Sequence, residues 1–162
     1  MITDAVAGTA ARVPGVLPTA TTWTKNRREW TSAEGWSVIA ILAMRGEVDV
    51  GPATRLIARV KAGIHAAPNR TRYSMNSALI AIGGSLPALR DRALAAARSI
   101  GVVLVDHGET CCRTPDAAYM IDKMVAHQAA KRTRVTGARV SARKKATPTK
   151  RTRRGGPVRG RL

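Results

Sequence analysis

Five residues with chemical potential fall within seven positions of this sequence: Asp106, His107, Glu109, Cys111 and Cys112, in the stretch VDHGETCCRTPDA (105–117). Carboxylate, imidazole and thiolate are the groups that hold zinc and move protons. Zinc sites, however, space their ligands as close pairs with a distant second pair. Here the candidates form one run, and only His65 and His127 supply further imidazoles. The spacing predicts no metal site and no cofactor. Adjacent cysteines bridge poorly. With no third cysteine there is no disulfide framework. The same residues suit an ordered loop. Asp106 and Glu109 can accept backbone N–H bonds, Gly108 permits a positive φ, and Thr114 can cap the helix that follows. The alternative, in which Asp106, His107 and Glu109 face a ligand, stays open at this point.

A second group is Asn69, Arg70, Arg72 and Asn76, at the start of a predicted helix. Guanidinium and amide donors beside the positive end of a helix suit phosphate. These four are expected DNA contacts, with Asn69 also placed as an N-cap. Lys144, Lys145, Arg153 and Arg154 are expected contacts in a basic tail. His65 reads as a helix-end cap, Trp36 as core, and Trp23 and Trp30 as packing residues. Arg55, Arg59 and Lys61 read as a solvated face.

The elements that must position these residues are helices. Apolar residues are 44% of the chain and aromatics only 3%, with no Phe, so aliphatic and alanine side chains must fill the core. That composition favours helices over a sheet. Residues 36–46 read as a buried helix with Gly46 as its stop. In 50–67, Leu56, Ile57, Val60 and Ile64 make one apolar stripe. A third helix over 68–84 stops at Gly83-Gly84. A fourth, 85–101, opens at Ser85 and closes at Gly101. A fifth, 114–132, is started by Thr114, Pro115 and Asp116. Helices of similar length joined by short turns predict an all-α fold of stacked antiparallel pairs, an α-solenoid.

The net charge is +18, and 13 of the 28 Lys and Arg lie in residues 131–162, which hold no acid. That charge calls for a polyanionic partner, most simply DNA. Two regions are expected: a helical domain, 1–130, and a disordered basic tail, 131–162, too poor in apolar surface to fold. No apolar run suits a membrane span or a signal peptide. The expected location is cytoplasmic and nucleoid-associated.

Two long segments, HAAPNRTRYSMNSALIAIGG (65–84) and ALAAARSIGVVLVDHGETCCRTPDA (93–117), resemble the C-terminal half of the AlkD-like DNA alkylation repair proteins. They are most similar to the subgroup with a VDHGETxCKTPDA loop. The likeness covers roughly residues 2–125. It implies HEAT-like helix pairs with DNA on a basic face. It also implies hydrolysis of the N-glycosidic bond of cationic N3- and N7-alkylated purines, with a carboxylate at the site that matches Asp4. The resemblance places an Arg near Ala33 and a Trp near Ser77, and this chain has neither there. It further implies a helical half upstream, so the stack reads as truncated, with a protein partner over its cut edge. Three functions follow: a DNA repair glycosylase, a non-catalytic DNA-binding scaffold, and a nucleoid-type protein acting through its basic tail.

Overall fold

The computed structural model describes the backbone of residues 2–145 and the side chains of residues 5–131 and 133. The chain divides into two compact units, residues 1–127 and 128–162. Among the described residues seven α-helices run in order: α1 (Ile2–Ala10), α2 (Leu17–Trp23), α3 (Glu29–Arg45), α4 (Val50–Gly63), α5 (Asn69–Ser85), α6 (Arg90–Ile100) and α7 (Ala117–Lys145). Short 3₁₀ turns precede α5 (Ile64–Ala66) and α6 (Pro87–Leu89). The described residues contain no strand.

In the first unit the helices form two layers. α3 packs along α5 and against α1 in one layer, while α4 and α6 pair in the other. α2 joins the layers by packing on α3, and α4 and α6 do so by packing on α5. The start of α7 joins the first layer, where Ile121 and Met124 meet Gly83 and Gly84 of α5. The stripe Leu56, Ile57, Val60 and Ile64 is buried as its spacing predicts. Trp36 is 1% exposed among aliphatic and alanine side chains. Alanines at 20, 33, 43, 53, 78, 93 and 97 are all buried, which lets the helix backbones approach closely.

The helix ends show where local signals held and where packing overrode them. Gly46 takes a left-handed φ of 75°, and its N–H bonds the Ala43 carbonyl while Glu47 N–H bonds Leu42 O. This is a Schellman stop, and it needs Gly. α3 starts at Glu29, well before the expected residue 36, because Ser32, Ala33 and Gly35 are buried against α2. Gly35 is a point of close approach: a Cβ there would lie 2.7 Å from Ala20 O and Thr24 N. Gly83-Gly84 does not stop α5, which continues to Ser85. The pair makes room instead, since a Cβ on Gly83 would lie 2.7 Å from Ile121 Cδ1 and 2.8 Å from Ala93 Cβ. Ser85 therefore belongs to α5 and does not cap α6. α7 begins at Ala117, not Thr114, and Asp116 is its cap, accepting a bond from Tyr119 N–H at 2.7 Å.

α7 continues to Lys145, past the boundary expected at residue 130. Residues 131–145 hold no proline, and Lys and Arg are good helix formers. Arg153 and Arg154 lie outside the described residues. Lys144 and Lys145 fall in the last turn of α7, with side chains outside the described set.

Candidate functional site

α5 carries the residues that organise the site, on two faces. Asn69, Arg72 and Asn76, spaced i, i+3, i+7, face the loop between α6 and α7. Asn69 Nδ2 donates to Asp106 O at 2.6 Å, and Asn69 Oδ1 accepts from Asp106 N–H at 2.7 Å. Arg72 donates to the carbonyls of Leu104 (2.7 Å), Ala67 (3.0 Å) and His65 (3.2 Å). Asn76 Nδ2 donates to Pro115 O at 2.9 Å, and the residue is 1% exposed. Three of the four expected DNA contacts on this helix are thus spent on holding a loop. Asn76 is too buried to touch DNA at all.

The positive end of α5 is also occupied. The Glu29 carboxylate of α3 accepts the Arg70 N–H at 2.5 Å, and Thr71 Oγ1 donates to the Glu29 carbonyl at 3.1 Å. An anion at this helix end is favourable. It comes from the chain itself, so the helix end is not open to phosphate as the sequence suggested.

The loop so held is internally ordered. Asp106 Oδ1 accepts from Gly108 N–H at 2.8 Å, with Gly108 at φ 61°. Thr110 Oγ1 donates to His107 O, and His107 Nε2 meets Thr114 Oγ1 at 3.0 Å. Thr114 is therefore a partner of His107, not a cap. Glu109 is exposed and makes no hydrogen bond among the described residues, contrary to its expected role. No three of His, Cys, Asp and Glu gather as a ligand set among the described residues. Cys111 and Cys112 are free and exposed. His65 does cap a helix end, but that of α6: its Nε2 lies 3.0 Å from Ile100 O.

The other face of α5 presents Arg70, Tyr73, Ser74 and Ser77, again at helical spacing. With α1, α3 and the loop they line a groove of about 470 Å³. Ala7 comes from α1, Trp30, Ala33, Ser37, Ala40 and Ile41 from α3, and His107 and Cys112 from the loop. Trp30 is 55% exposed, with the Arg70 guanidinium 5.4 Å from its ring centroid. Tyr73 and His107 meet edge to face with centroids 5.6 Å apart. Ser37 and Ser74 hydroxyls pair at 3.1 Å. Trp30, read as a packing residue, is thus a groove residue, whereas Trp23 does pack on the core. The Trp30–Arg70 pairing joins residues forty apart, and no local spacing announces it.

No protein-family model matches the chain. It is 32% identical over 122 residues to the uncharacterized protein Lmo0209 of Listeria monocytogenes, and 31% identical to Lin0241 of Listeria innocua. Each match covers 75% of this chain and 53% of the relative, so the chain spans about half the length of these relatives. A solved structure superposes with a TM-score of 0.68 at 23% identity, over 75% of this chain and 53% of that one. That protein is described as a member of a new family of proteins related to the HEAT-like repeat DNA glycosylases with affinity for branched DNA structures.

This chain has the HEAT-like repeat fold.

Within this HEAT-like stack, the positions singled out by the resemblance converge. Ala33 and Ser77, where Arg and Trp were implied, both line the groove. Asp4 lies on α1 about one turn before Ala7, with its side chain outside the described residues. The groove's cation and indole are instead Arg70 and Trp30. No helix among the described residues is long and apolar enough to cross a membrane.

Proposed function

We propose that this chain is a DNA-binding HEAT-like repeat protein whose α1/α3/α5 groove meets DNA without excising bases. The carrying observation is the exposed Trp30 with Arg70 against its ring, beside Tyr73 and His107. Aromatic faces accept unstacked bases whatever their identity, and a guanidinium beside them takes the phosphate. The 13 Lys and Arg of residues 131–162, with Lys144, Lys145, Arg153 and Arg154 among them, supply sequence-independent attraction through counterion release. The affinity of the structurally similar protein for branched DNA supports the same reading. The AlkD-like resemblance adds base excision with Asp4 as its carboxylate. Ala33 and Ser77 speak against that step: Ala33 offers no guanidinium to hold the DNA backbone, and Ser77 no aromatic face to a developing sugar cation.

Titration of labelled linear and branched DNA across a salt series tests this reading. Wild-type affinity falls steeply with salt, and Trp30→Ala weakens branched-DNA binding by about 1–3 kcal/mol, the worth of one stacked base. Absence of DNA binding, or an unaffected Trp30→Ala variant, defeats the groove as the interface. Release of 7-methylguanine above the spontaneous rate would restore the excision reading.

A further inference from the structure

The α2 and α4 helices bound a second concave surface, separate from the groove above. Leu17, Pro18, Leu56 and Pro52 floor a groove of about 440 Å³, and its charged lining is Lys25, Arg55 and Arg59. It contains no carboxylate. The side chains of Lys25 and Arg55 are exposed and make no hydrogen bond or ion pair among the described residues.

Arg59 is built differently from a solvated cation. Its guanidinium lies 5.2 Å from the Trp36 ring centroid and donates to Thr24 Oγ1 at 2.8 Å. Burial pushes it below the usual arginine range. Its fork is therefore held in place before any ligand arrives. A partly desolvated cation with only neutral acceptors gains more from an anion than a hydrated one does. The apolar floor strengthens that attraction by excluding water.

We propose that Lys25, Arg55 and Arg59 form a second phosphate-binding surface, which holds the backbone of a second DNA arm. The inference rests on the DNA-binding reading of the first groove. The first groove draws its α3 lining from Trp30, Ala33, Ser37, Ala40 and Ile41. The cationic groove takes nothing from α3; α2, Lys25 just beyond its end, and α4 line it. The two linings share no residue, so two DNA segments can occupy them at once. A branch point supplies two such segments, because its arms diverge. Two phosphate-binding grooves with no lining residue in common therefore favour branched over linear DNA.

The test uses the full chain with the double variant Lys25→Ser, Arg55→Ser. These two residues make no internal bonds, so the melting temperature should not move. Arg59 is left in place because it holds Thr24. The probes are a four-way DNA junction, a linear duplex with the sequence of its arms, and inorganic pyrophosphate. The variant should lose on the order of tenfold in junction affinity, with the slope of log K against log salt shallower by about 1.8 for two lost phosphate contacts. Linear duplex affinity should stay within twofold. Equal losses on junction and duplex overturn the proposal, since both arms would then share one path. Unchanged junction affinity in a wild type that binds junctions overturns it too. So does pyrophosphate binding that the variant alone loses while junction affinity holds, which would make this a small-anion site. A wild type that binds neither DNA defeats the proposed function itself, a distinct outcome.

Discussion

Replacing Arg72 with leucine removes the guanidinium that joins three carbonyls: Leu104 in the α6–α7 loop, and His65 and Ala67 before α5. The bonds to Leu104 and His65 lie near solvent, so water partly replaces them. The bond to Ala67 is half-buried and less easily replaced. A hydrogen bond from a charged donor is worth about 1.5–3 kcal/mol and an exposed neutral one about 0.5–1.5. Allowing for rehydration, the total loss should be about 2–4 kcal/mol. Set against a typical stability of about 5–15 kcal/mol, the protein still folds. The urea midpoint should drop with little change in slope, and the melting temperature should fall by roughly 8–15 °C. Hydrogen exchange at the Asp106 amide should quicken by more than about tenfold, because the loop that Asn69 grips there loses its second clamp. Arg72→Lys should fall between, since an ammonium lacks the planar fork. Arg70→Ser, two residues away on the other face of α5, should change stability by less than about 0.5 kcal/mol and weaken DNA binding instead. The reasoning fails if Arg72→Leu keeps the wild-type urea midpoint while its DNA salt slope falls by about 0.9, the mark of a lost phosphate contact.

The glycine contacts give two further outcomes. Gly83→Ala should destabilise more than Gly84→Ala by at least about 1 kcal/mol. Both gain about 1 kcal/mol in helix propensity. The new methyl at 83, however, meets Ala93 Cβ and Ile121, while that at 84 meets mainly the flexible end of Met124. Gly35→Ala should be costlier still, about 1–3 kcal/mol net or more. The two nearest atoms it strikes, Ala20 O and Thr24 N, are backbone, and the third is Trp23 Cβ, so α2 itself must move and strain the Ser32–Thr24 bond. Thermal melts of the three variants rank these costs, and a Gly35→Ala protein as stable as wild type would refute the close approach.

Sequence alone determined the all-α architecture, the buried stripes, the Gly46 and Gly101 stops and the charge, because these depend on residues close together in the chain. The 3.6-residue period is written into Leu56, Ile57, Val60 and Ile64 whatever they pack against. Sequence also singled out the DHGE loop as ordered, since Asp106 and Gly108 build their turn from neighbours. What it could not assign was which polar group answers which. Arg70 and Arg72 look alike in the sequence, yet one lies against an indole forty residues away and the other is consumed by three carbonyls. Gly83-Gly84 looks like a stop and proves to be a seat for α7, because only the neighbouring helix reveals the space to be filled. Trp30 and Arg59 exchanged their expected roles for the same reason. Exposure and partnership belong to the packed arrangement, not to the residue type, and here they decide which charged side chains stay free of partners within the fold.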